Sequence, residues 1–149
     1  MDTHTPEQRS RNMAAIRSKD TKPELYLRKL LFSKGYRYRL YPKKIPGKPD
    51  LWLAKYRTVI FVHGCFWHRH PGCRFATNPK NNENFWNTKF HKNVERDETV
   101  KNQILGMGLK YLVIWECTIK KMMKDPVMEK DVLDTISSFL TSEKVYESI

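Results

Sequence analysis

Residues 59–73, VIFVHGCFWHRHPGC, constrain this chain more than any other stretch. Val59, Ile60, Phe61 and Val62 read as a buried strand, because a short run of β-branched and aromatic residues suits a pleated core. His63, Cys65, His68, His70 and Cys73 follow at once, with Phe66 and Trp67 between them. Whatever fold the chain adopts must lead a core strand straight into a loop dense in soft metal ligands. The segment is expected to bind a metal and to do chemistry on nucleic acid.

Charge supplies the partner class. Lys plus Arg number 28 and Asp plus Glu 16, a net charge of +12 on 149 residues, which favours a polyanion such as nucleic acid. Hydrophobic residues at 40% exclude a disordered chain, so one domain over residues 1–149 is expected. An odd count of three cysteines does not suit a closed disulfide framework. The N-terminus has no apolar leader segment and no run approaches a membrane span, which points to a reducing cytoplasm.

Thr5-Pro6-Glu7 predicts a first helix reaching about Ser18, with Arg9, Arg11 and Arg17 and a thin apolar face that includes Met13. Thr21-Lys22-Pro23-Glu24 is a capping box that opens a second helix, with Leu27, Leu30 and Leu31 on its core face and Gly35 at its end. On this evidence alone Glu24 is a capping residue. Residues 36–41 alternate aromatic and basic and read as a strand. The loop PKKIPGKP, residues 42–49, has too many prolines for a helix or a central strand, and it delivers Asp50 to a strand over 50–54. Residues 58–63 return as its partner. If Ala54 pairs with Thr58, Asp50 stands opposite Val62 and beside His63, where a carboxylate, an imidazole and the Val62 carbonyl could serve a hard cation.

A long helix is predicted from about Asn84 to Leu105, with Trp86, Phe90, Val94 and Ile104 inward and Lys89, Lys92, Asn93, Glu95, Arg96 and Lys101 outward. A strand over 111–115 and a helix over 126–141 complete the order α, α, β, β, β, α, β, α. That order predicts an α/β/α sandwich on a mixed sheet, an early meander followed by a crossover.

Structural zinc takes four Cys or His ligands in a closed tetrahedron. Cys65, Cys73 and Cys117 supply three, and spacing permits either His68 or His70 as the fourth. A closed site is not itself a catalyst, which leaves His63 and one of His68 or His70 for proton transfer. Phe66 and Trp67, in a rigid loop of a basic protein, can stack on bases or wedge between base steps.

Five blocks in order make the chain resemble the very short patch repair endonucleases, which act on T:G mismatches. They are RSRNMAAIRSKDTKPE (residues 9–24), PGKPD (46–50), VIFVHGCFWH (59–68), FW…K…N..RD (85–97) and WEC (115–117). The resemblance implies a restriction-endonuclease-like fold in which Phe61-Val62-His63 stands where such folds often carry E-x-K. It implies Zn²⁺ on Cys65, His70, Cys73 and Cys117, and catalytic Mg²⁺ on Asp50 with the Val62 carbonyl. It implies His68 as general base, His63 as a second active-site histidine, and Glu24 as an acid near the metals. Phe66, Trp67 and Trp86 match aromatics that enter the duplex, and Met13 matches a residue entering from the opposite groove. Lys89 and Asn93 belong to the same DNA-contacting block. Pro71-Gly72, between His70 and Cys73, departs from the expected spacing. The implied activity is a nick 5′ of the mismatched thymine by a monomer in the bacterial, nucleoid-associated cytoplasm, in concert with a cytosine methylase and repair proteins. The alternatives are a nuclease of the same fold that cuts modified or undamaged DNA, and a non-catalytic zinc-dependent DNA-binding module.

Overall fold

The computed structural model describes residues 20–149. Met13 and the expected first helix lie outside the described residues. Helix α1 (Lys22–Ser33) begins at Thr21, whose Oγ1 accepts from the Glu24 N–H at 3.5 Å while the Glu24 carboxylate accepts from the Thr21 N–H at 3.4 Å. This reciprocal pair satisfies two donors that a helix start leaves without partners. Leu27 and Leu31, one turn apart, are fully buried.

Five strands form one mixed sheet in the order β1 to β5: β1 (Arg39–Leu40), β2 (Leu51–Leu53), β3 (Thr58–His63), β4 (Lys110–Trp115) and β5 (Tyr146–Ser148). The first three pair antiparallel, and β3–β4 and β4–β5 pair parallel. The expected meander and crossover are therefore present. The crossover between β3 and β4 contains the long helix α2 (Glu83–Gly106), and α3 (Glu116–Lys124) and α4 (Pro126–Thr141) follow β4.

Four features depart from expectation. The strand predicted over 36–41 is only two residues long, and Leu53 rather than Ala54 pairs with Thr58. Ala54–Tyr56 instead forms a 3-10 turn that closes on Arg57 in the left-handed region (φ 49). The register is thus one residue from the predicted one, and extending it sets Asp50 against Phe61. Helix α3 and strand β5 are additional elements.

β3 is buried on both faces, as a strand with neighbours on each side of the sheet must be. Ile60 joins Leu27, Leu31, Ile119, Met122, Ile136 and Phe139, while Val59 and Phe61 join Ile104, Tyr111, Val113 and Trp115. Asp50 immediately precedes β2 and His63 ends β3, so the antiparallel pair brings both to one edge of the sheet. No helix among the described residues is long and apolar enough to cross a membrane.

Candidate active site and metal centre

Asp50, His63 and His68 line one cavity of about 530 Å³, together with Glu24, Tyr41, Lys48, Val62, Arg96 and Asp97. Despite the shifted register, the Asp50 carboxylate reaches the end of β3, and its Oδ2 accepts from the Val62 N–H at 2.7 Å. Burial, with the nearby Glu24 carboxylate, pushes the Asp50 carboxyl up to about 7 against the pull of that N–H. Two carboxylates facing each other away from water form an oxygen-donor set suited to a hard divalent cation.

The two histidines lie face to face, with ring centroids 3.9 Å apart and planes within 3°. Burial, with the adjacent His68, lowers His63 to about 3, so it is neutral at physiological pH. His68 Nδ1 lies 2.7 Å from Asp97 Oδ2. An Nδ1–H donated to that carboxylate leaves Nε2 unprotonated and able to take a proton. Stacked rings aim their in-plane lone pairs side by side rather than at a common point. His63, His68 and Asp97 therefore make a better proton-transfer group than a chelate, although their ligand atoms lie within 4.8 Å of one another.

Asp97 is a site residue that the sequence reading did not single out. Its signal is the spacing Trp86, Phe90, Asn93, Asp97 along one stripe of α2. Trp86 and Phe90 stack at 5.6 Å, and the Asn93 side chain donates to the Trp67 carbonyl at 3.1 Å. Asn93, expected on the outward face, thus turns inward, whereas Val94, expected inward, is 46% exposed. Lys89 lies with Nζ 5.3 Å from the Trp67 ring. Phe66, Trp67 and Trp86 form one half-buried aromatic cluster, with centroids 5.0 to 5.8 Å apart.

Cys65, His70, Cys73 and Cys117 also come together, with all four ligand atoms within 4.8 Å of one another. Cys117 lies in the first turn of α3, and its Sγ is 3.4 Å from His70 Nδ1. Ligand bonds of about 2.0 and 2.3 Å at a tetrahedral angle imply roughly 3.5 Å between nitrogen and sulfur, so the set fits zinc. The backbone N–H of Phe75 lowers the Cys73 thiol, favouring the thiolate a metal needs. His68, the other spacing-permitted ligand, is engaged with Asp97 instead. His70 stacks on Trp115 at 4.1 Å, and Trp115 meets the His63 ring edge-on at 5.3 Å, so aromatic packing joins the two centres.

Residues 1–74 match the DNA mismatch endonuclease Vsr family. The chain is 47% identical over 119 residues to the type II nicking enzyme V.NmeAIP of Neisseria meningitidis, covering 80% of this chain and 84% of that one. It is 39% identical over 133 residues to the type II nicking enzyme V.XorIIP of Xanthomonas oryzae, covering 89% and 97%. To the DNA mismatch endonuclease Vsr of Escherichia coli it is 40% identical over 119 residues, covering 80% and 76%. With the cavity geometry and identities of this extent over most of both chains, the protein is a DNA endonuclease and belongs to the Vsr family.

Proposed function

We propose that this protein nicks one strand of duplex DNA on the 5′ side of the thymine in a T:G mismatch, leaving a 3′-hydroxyl and a 5′-phosphate, as the first step of very short patch repair. One observation carries the chemistry: the His68–Asp97 pair shares a cavity with Asp50 and Glu24. A water between them has a base on one side and a cation-binding face on the other. Asp50 with the Val62 carbonyl would hold Mg²⁺, which when bound supplies charge against the scissile phosphate.

His68 takes the proton of the attacking water at Nε2, while Asp97 holds the ring orientation and balances the imidazolium that forms. His63, neutral and stacked on His68, keeps that ring in place without adding a competing charge. Lys48 and Arg96 face the same cavity and meet the phosphodiester. Zinc on Cys65, His70, Cys73 and Cys117 would brace the loop that carries His68.

Phe66, Trp67 and Trp86 enter the stack beside the mismatch, with Met13 from the opposite groove, and Lys89 holds phosphate near the wedge. A mismatched step unstacks at lower cost than a matched one, so an aromatic wedge selects weak sites. The fold is that of the restriction endonucleases, one domain over residues 1–149, and the chain works as a monomer. The substrate supply is a cytosine methylase whose product deaminates to thymine.

Single-turnover cleavage of T:G and matched duplexes, labelled on each strand, tests the reading. The expected result is one nick, 5′ of the thymine, only in the mismatched duplex and only with a divalent cation. Equal cleavage of matched DNA would instead establish a nuclease without mismatch selection.

A further inference from the structure

Arg28 is a buried charge to which the proposed mechanism gives no task. It is 7% exposed and lies one turn after Glu24 on α1. Its Nη1 donates to Asp20 Oδ1 at 2.8 Å, and its Nη2 donates to the Tyr41 hydroxyl at 2.6 Å and to Glu24 Oε2 at 3.4 Å. The one proton of the Tyr41 hydroxyl is shared between Glu24 Oε2 at 3.3 Å and Asp20 Oδ1 at 3.2 Å. Glu24 and Asp50 line the same cavity, and the Glu24 carboxylate is near enough to raise the Asp50 carboxyl.

Stability alone explains this arrangement poorly. Buried ion pairs roughly break even against apolar packing, and Arg28 Nε is buried with no hydrogen-bond partner among the described residues. The capping box already secures the start of α1 without Arg28. What the guanidinium and the hydroxyl do together is add two donors to the Glu24 oxygen that also accepts from the Thr21 N–H.

We propose that Arg28, together with Tyr41, is a positioning residue that fixes the Glu24 carboxylate toward Asp50, so that the two present one preformed face to a divalent cation. The inference rests on the reading of Asp50 as the cation ligand. It makes a prediction opposite in sign to simple electrostatics. Removing a positive charge near a cation site should tighten cation binding, whereas losing the grip on Glu24 should weaken it.

The test is calorimetric titration of Mn²⁺ into the intact zinc-loaded protein without DNA, with single-turnover cleavage alongside. Tyr41→Phe changes no charge and is expected to weaken Mn²⁺ binding about tenfold, with zinc content unchanged. Arg28→Met is expected to weaken it as well, despite the lost charge, and Arg28→Lys to recover part of the loss. Raising Mn²⁺ should restore cleavage in these variants. If Arg28→Met binds Mn²⁺ as tightly as wild type or more tightly, the proposal fails. If that variant does not fold, Tyr41→Phe decides alone, and wild-type affinity there overturns the proposal. Asp50→Asn separates the two levels: undiminished Mn²⁺ binding in that variant removes the functional reading itself, and the role of Arg28 with it.

Discussion

Asp50 is held where solvent is scarce, by a single N–H from Val62 and opposite a second carboxylate. Its carboxyl is raised from 3.8 to about 7, so the folded protein keeps a proton that the unfolded chain has released. The resulting stability is complete below about pH 4 and is lost as pH rises through about 7. Asp50→Asn keeps an acceptor for Val62 and removes the buried charge. In magnesium-free buffer it should be more stable than wild type at pH 8 by about 1–3 kcal/mol and no more stable at pH 4, and with Mg²⁺ present its cleavage should be lower by at least about 100-fold. Urea unfolding at the two pH values checks this, and an unchanged difference between them would contradict it. Asp97→Asn should lower single-turnover cleavage by about 100-fold with little change in Tm, because it disturbs the His68 tautomer at a half-buried position. Asp97 belongs to the RD pair that ends the FW…K…N..RD stretch, and only the packing of α2 against the His68 loop brings it to the imidazole.

Among the elements, the proline-rich loop is held by a close approach to α2. Gly47 has φ +80, and a Cβ there would lie 2.4 Å from Val100 Cγ1 and 3.3 Å from Phe61. Gly47→Ala should therefore destabilise by about 1–3 kcal/mol and shift the cavity wall that carries Lys48 and Asp50, measurable as a lower Tm together with weaker cleavage. Thr21→Ala removes the cap of α1 and should cost about 1 kcal/mol in urea unfolding. The capping box was legible because its four residues are contiguous and its chemistry is local. β5 was not: its Tyr-Glu-Ser sequence has no apolar pattern, and its place comes from pairing with β4 and from Trp115 Nε1 donating to Ser148 Oγ at 2.8 Å. Helix α3 starts directly from β4 without a side-chain cap, so no punctuation marks the change from strand to helix.

For the molecule as a whole, the net charge of +12 and the His/Cys cluster lead to two measurements. DNA affinity should fall steeply and log-linearly with salt, with a slope set by the number of phosphates neutralised. Cys117→Ser should lose the zinc that wild type is expected to hold at one per chain, and should unfold at lower temperature, because Cys117 joins α3 to the Cys65–Cys73 loop. Metal analysis with thermal unfolding checks both halves. The mixed α/β class, the β2–β3 hairpin, the capping box and the identity of the ligand-rich loop were all readable from the chain, since each depends on neighbours within a dozen residues and on local hydrogen bonding or periodicity. The tertiary structure decided the rest: the one-residue register, the inward turn of Asn93 and Asp97, and the contacts of Arg28 and Tyr41 with Glu24. Each of these depends on side chains far apart in sequence competing for the same space, and such a contest is settled only by packing.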